Sequence, residues 1–204
     1  MDDLKGTGRI EAFSDGVFAV AITLLVLGLQ PPHDLLDEQA LLNALLAQWP
    51  MLLAFVTSFA TIGIMWVNHH RLFNLIKRSD NTLMMLNLLL LLVIVFIPFP
   101  TALVAQYITN PSQHLAALVY SGTNILLAVC FNLLWGYAAH ENRLLDKRAD
   151  PQAVRGITRQ YLAGPLLYGI TFGLAWVSVP ASLAMIILLA VFFALPGRTI
   201  PLLK

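Results

Sequence analysis

Apolar residues run along this chain in blocks too long for a globular core, separated by short polar and charged joints. The first block opens within residues 9–30, RIEAFSDGVFAVAITLLVLGLQ. Arg9, Glu11, Ser14 and Asp15 lead in, and from Gly16 the run is apolar but for Thr23. A second block covers 41–68. From 81 to 140 there is no Lys, Arg, Asp or Glu, and from 160 to 197 there is again none. A spanning helix takes about 20 apolar residues, so the 81–140 run holds two. They part at TNPSQH (109–114), a turn-type cluster with a proline. The later run parts at VSVPAS (177–182), leaving a short span on either side of Pro180. The pattern predicts six helices in one domain over residues 1–204, with approximate spans 10–30, 41–68, 82–107, 115–139, 160–178 and 180–197. The last two barely cross. Two prolines in IPFPTALV (97–104) end or kink the third helix. The basic stretch 141–158 reads as a solvated helical connector.

Composition agrees. Hydrophobic residues make up 58% and charged residues 11%, where a soluble domain carries about 25% charged. The chain is an all-α membrane protein whose first partner is the lipid bilayer. Its acidic lead-in is unlike the basic start of a secretory signal. Cys130, the one cysteine, sits inside an apolar span as a small hydrophobe.

Charge gives the orientation. With six spans, Lys5 and Arg9, then Arg71, Lys77 and Arg78, then Arg143, Lys147, Arg148, Arg155 and Arg159, then Arg198 and Lys204 all fall on one side. That is every basic residue of the chain. The opposite loops hold Asp34, Asp37 and Glu38 or no charge. Basic loops stay in the cytoplasm, so both termini are expected there.

No predicted span carries an ionisable residue at mid-depth, which argues against a carboxylate relay of the kind pumps and antiporters use. Thr23, Ser58, Thr61, Asn87, Ser121, Thr123, Asn124, Asn132, Thr171 and Ser178 remain, for the most part as hydrogen-bonding glue between helices. Thr23 differs by its neighbours. At 100° per residue, Gly16, Val20, Thr23 and Leu27 lie within roughly 60° of one another. One reading is a packing seam with Thr23 bonded to its own i−4 carbonyl. The other is a pore lined by several copies of this helix. Apolar rings at Val20 and Leu27 would then gate by dewetting, and a hydroxyl ring at Thr23 would replace part of an ion's hydration.

Asp15 lies about 140° from Val20 around the helix and is expected to face its own bundle. Ser14 and Asp15 are favoured helix N-caps, which is one role. Pairing with Arg9, or with the WVNHH segment from Trp66 to His70, is another. A carboxylate–imidazole pair there would lock two helix ends together, and could lend sensitivity to pH near neutrality.

These residues carry a resemblance. Arg9-x-x-x-Phe13-Ser14-Asp15, followed eight residues later by Thr23, resembles the signature of the transmembrane protein 175 family of potassium channels in its single-repeat bacterial and archaeal form. WVNHHRLF (66–73) and PFPTALVAQY (98–107) resemble that family's second and third helices. The resemblance implies a homotetramer of six-helix subunits in a bacterial or archaeal cell membrane. Its first helix lines the pore, without a re-entrant pore-loop filter, and the chain has no TVGYG-like segment. Carried over by position, Val20 matches the hydrophobic constriction, Thr23 the hydroxyl layer and Leu27 the next apolar ring; Gly16, on the same stripe, joins them as a candidate ion-pathway residue. Arg9, Phe13, Ser14 and Asp15 match the motif buttressing the helix end, with Trp66 and His69 or His70 as partners. Val20 departs from a bulkier Ile or Leu at the constriction. The permeant species implied are potassium and other monovalent cations. No cofactor, resident metal, nucleic-acid partner or enzymatic activity is expected. A coupled secondary transporter and a non-conducting membrane scaffold are the competing functions.

Overall fold

The computed structural model describes residues 6–33 and 37–194. Helix α1 (Gly8–Leu24) runs on into a 3-10 turn, Leu25–Gly28. There follow α2 (Glu38–Ala47), α3 (Trp49–Leu75), α4 (Asn81–Phe96), α5 (Pro98–Tyr107), α6 (Gln113–Ala139), α7 (Pro151–Val177) and α8 (Val179–Ala194). Aspartates start three of them. Asp37 accepts from the Ala40 amide at 2.6 Å, Asp80 from Leu83 at 2.8 Å and Asp150 from Gln152 at 2.9 Å. Each satisfies a donor that the first turn leaves without a partner. Prolines make the breaks. Pro98 opens α5 one residue after α4 ends, because its ring and missing N–H do not continue a helix.

Among the described residues, four stretches are long and apolar enough to cross a membrane: Gly8–Gly28, Trp49–Leu75, Asn81–Tyr107 and Gln113–Asn142. α8 is apolar but has 16 residues. α7 has 27 and carries Arg155 and Arg159 in its first half. The predicted six spans therefore stand as four clear candidates plus this α7–α8 hairpin.

Several boundaries differ from those the sequence predicts. The 41–68 block is two helices meeting at Gln48, and the second runs on to Leu75. The fifth helix begins at Pro151, not near 160. The 141–158 stretch around that start is exposed for the most part and helical from 151, as expected of a solvated connector, but it is pinned near its beginning. Leu144 and Leu145 are fully buried, and Leu145 forms an antiparallel bridge with Ile76. The amides of Lys77 and Arg78 donate to Leu144 O at 3.0 and 3.2 Å, and the Asp146 amide donates to Leu75 O at 2.8 Å. This clasp ties the end of α3 to the end of α6. The sixth span, predicted to 197, is described as far as Ala194; its last residues, with Arg198 and Lys204, lie outside the described residues.

α6 is the hub, packing on α4, α5, α7 and α8, while α1 lies at the edge on α3 and α4. One contact explains how α7 carries a proline in its interior. Pro165 has no N–H for the Tyr161 carbonyl one turn earlier. Asn132 of α6 supplies one instead, its Nδ2 lying 2.6 Å from Tyr161 O. A backbone acceptor freed by proline is satisfied by a neighbouring helix, as a bilayer requires.

Candidate ion-pathway helix

α1 has two stripes of identical spacing, two residues out of step. Ser14, Phe18, Ala21 and Leu25 are buried against α3 and α4. Gly16, Val20, Thr23 and Leu27 are exposed, Val20 at 54% and Leu27 at 68%. A shift of two residues is 200° on a helix, so the stripes lie on opposite faces. One face belongs to the subunit's core and the other is left uncovered among the described residues. Thr23 Oγ1 donates to Val20 O at 2.9 Å, the i−3 carbonyl and not the i−4 one expected. The hydroxyl proton is held by the backbone, and the oxygen lone pairs remain on the exposed face.

The polar lead-in is helical from Gly8. Ser14 and Asp15 therefore sit two turns inside α1 and cap nothing; Thr7 holds the N-cap position. It is Ser14, not Asp15, that turns into the bundle. Ser14 Oγ donates to Ile10 O at 2.8 Å and accepts from Asn87 Nδ2 of α4 at 3.0 Å. The Asn87 carbonyl oxygen in turn accepts from His69 Nε2 of α3 at 2.8 Å. His69 is buried, stacked on Phe73 at 4.5 Å between centroids and meeting Phe18 edge-on at 5.5 Å. A serine, an asparagine and a histidine thus join three helices in one buried chain of hydrogen bonds.

Asp15 is exposed at the flank of α1, and its partner is an indole: Trp66 Nε1 donates to Asp15 Oδ1 at 2.7 Å. His70 stacks on Trp66 at 6.2 Å. No carboxylate–imidazole hydrogen bond forms between Asp15 and His69 or His70, nor one between Asp15 and Arg9, among the described residues. The two histidines of WVNHH part company, His69 inward and His70 outward, because adjacent helical residues point about 100° apart. Phe13 and Arg9 lie exposed on the same lead-in. Asn87 is the residue whose part the pattern did not single out; its signal was an amide in an otherwise apolar helix, NTLMMLNLLLLLVIVF.

A bundle of long apolar helices with a hydroxyl-bearing stripe on an edge helix is an integral membrane protein, and the lead-in motif narrows the class. The family model described as endosomal/lysosomal potassium channel TMEM175 matches residues 9–98. A potassium channel of Chamaesiphon minutus is 50% identical over 190 residues, covering 93% of this chain and 94% of that protein. A potassium channel of Streptomyces collinus is 44% identical over 97% of this chain and 96% of its own length. The human endosomal/lysosomal proton channel TMEM175 is 35% identical over 62% of this chain and 27% of its own length. The crystal structure of a lysosomal potassium-selective channel TMEM175 homolog from Chamaesiphon minutus superposes with a TM-score of 0.83 at 48% identity, covering 92% of this chain and 96% of the other. This chain belongs to the TMEM175 family of potassium channels.

Proposed function

We propose that the protein is a potassium-permeable cation channel of a bacterial cell membrane, built as a homotetramer with α1 of each subunit around a central pore. The observation that carries this is the exposed stripe Gly16, Val20, Thr23 and Leu27, back to back with the buried stripe Ser14, Phe18, Ala21 and Leu25. In the tetramer, Val20 and Leu27 form apolar rings that resist wetting, and Thr23 places a ring of oxygens between them. Ions partly stripped of water at the rings meet acceptors whose protons already point to the backbone. A stripe of this kind selects without a re-entrant pore loop.

The lead-in motif has a different role. Asp15 bonds sideways to Trp66 and Ser14 inward to Asn87, so both hold the end of α1 on its own subunit and leave the stripe free for the axis. Arg9 and Phe13, exposed on the same turns, buttress that end against the neighbouring subunit, with His70 behind Trp66. Both termini lie in the cytoplasm, as the one-sided basic loops favour.

The test is ion flux from liposomes holding the purified protein, with a potassium gradient set against sodium, caesium or an impermeant cation. The expected result is potassium flux that needs no counter-substrate. Flux that appears only with a second coupled ion supports a transporter, and none under any gradient favours a scaffold.

A further inference from the structure

α7 presents one exposed stripe from end to end. Arg155, Arg159, Leu162, Leu166, Ile170, Gly173 and Val177 are all exposed, and at 100° per residue they fall within about 80° of one another. Leu162 and Leu166 are each 72% exposed, and Trp176 borders the stripe at its far end. The opposite face, Tyr161, Gly164, Tyr168, Thr171 and Ala175, is buried against α6 and α8. The helix is 27 residues long, roughly 40 Å, against a hydrocarbon core of about 30 Å. With α7 crossing as the fifth span expected from the sequence, the excess of about two turns would bring the arginine end to the lipid headgroups and the leucines to the acyl region below.

The two arginines are the unusual feature. They stand at i and i+4, where like charges destabilise a helix, and neither has a carboxylate partner among the described residues. The nearby acids are engaged elsewhere. Asp150 caps α7, accepting from the Gln152 and Ala153 amides, and Asp146 accepts from the Arg148 amide. Three other arginines have intrachain partners: Arg71 donates to Ala194 O, Arg78 to Asn142 O and Leu145 O, and Arg143 lies over the Tyr137 ring. The Arg9 and Arg148 side chains have none among the described residues, but neither stands in an i, i+4 arginine pair as Arg155 and Arg159 do.

We propose that this stripe binds an anionic phospholipid of the cytoplasmic leaflet. Its phosphate bridges Arg155 and Arg159, and an acyl chain lies along Leu162, Leu166 and Ile170. A guanidinium pair suits the fork geometry of a phosphate. The apolar stripe continuing directly below the arginines favours a lipid over free phosphate. The proposal rests on the cytoplasmic placement of the α7 start, and not on α1 lining a pore.

The test is native mass spectrometry of the detergent-purified protein titrated with phosphatidylglycerol, with phosphatidylcholine and with inorganic phosphate. Wild type, Arg155→Gln/Arg159→Gln and Arg155→Lys/Arg159→Lys are compared. A basic residue at the membrane surface contributes about fivefold to anionic-lipid binding, so the glutamine pair should weaken phosphatidylglycerol binding roughly thirtyfold. Phosphatidylcholine binding should not change, and the lysine pair should keep most of the preference. Equal phosphatidylglycerol binding by wild type and the glutamine pair overturns the proposal, as does binding of phosphate alone with the same dependence on the arginines. Potassium flux by the glutamine pair is measured alongside; its retention or loss reports on the channel reading separately.

Discussion

The Thr23 hydroxyl has one proton, and the Val20 carbonyl holds it. What faces away from the subunit is an oxygen that can only accept, the polarity a passing cation needs. Thr23→Val keeps the shape of the side chain and removes that oxygen. Potassium current or preference over sodium should fall, read as reversal potentials under bi-ionic conditions; an unchanged permeability ratio contradicts the hydroxyl-ring role. Asn87 is the counterpart on the buried side, where one amide satisfies both Ser14 and His69. Asn87→Leu strands the buried His69 Nε2, a cost of about 1–3 kcal/mol, and removes the interhelical bond of Ser14, whose hydroxyl keeps Ile10 O. The apparent unfolding midpoint in detergent should fall by several degrees, and an unshifted midpoint would show that the network adds nothing to stability. Asp15 is bonded to Trp66 at the exposed flank. Asp15→Ala should lower the yield of assembled protein and Asp15→Asn, which keeps an acceptor, should lower it less. Altered selectivity at normal yield would instead place Asp15 in the ion path.

At the scale of elements, α7 stays helical across Pro165 because Asn132 reaches Tyr161 O from α6. A double-mutant cycle tests this. Asn132→Leu should cost about 1 kcal/mol in the wild type, near the usual range for hydrogen bonds between membrane helices. It should cost less beside Pro165→Ala, where the restored amide serves Tyr161 O. Equal costs in both backgrounds would show that Asn132 does not stand in for the missing donor. The helices illustrate how much the chain discloses in advance. The break at Pro98 was legible as an end or kink of the third helix, because proline removes a backbone donor there. The stripe of Gly16, Val20, Thr23 and Leu27 was legible from its spacing, though not which face of α1 carries Asp15. The start of α7 was not, since Arg155 and Arg159 read as loop charges, yet the helix runs through them from Pro151. Nor was the clasp between Ile76 and Leu145, because a two-residue pairing across 69 positions leaves no periodic trace. The Ser14–Asn87–His69 chain was hidden for a related reason. Each member taken singly resembles the ordinary polar residue of a packed helix, and their meeting depends on how three helices cross.

For the whole molecule, one arrangement accounts for α6 at the hub, α1 at the edge and an apolar–hydroxyl–apolar stripe left uncovered among the described residues. In the proposed tetramer copies of the chain would meet along α1, leaving α7, packed on the hub helix α6, to face lipid. The resemblance carried by Arg9, Phe13, Ser14 and Asp15 pointed to this family before any helix was placed, and the identity along nearly the whole chain agrees. The central claim is that the α1 stripe lines the conducting path. Cysteine accessibility tests it most directly, in a Cys130→Ala background that removes the native thiol. Val20→Cys, Thr23→Cys, Leu27→Cys and, on the buried face, Phe18→Cys are each reconstituted in liposomes and treated with a small charged methanethiosulfonate reagent. The account predicts that potassium flux is blocked through the three stripe positions and left intact at 18. Block at 18 with the stripe positions unaffected would place the path on the other face of α1 and contradict it.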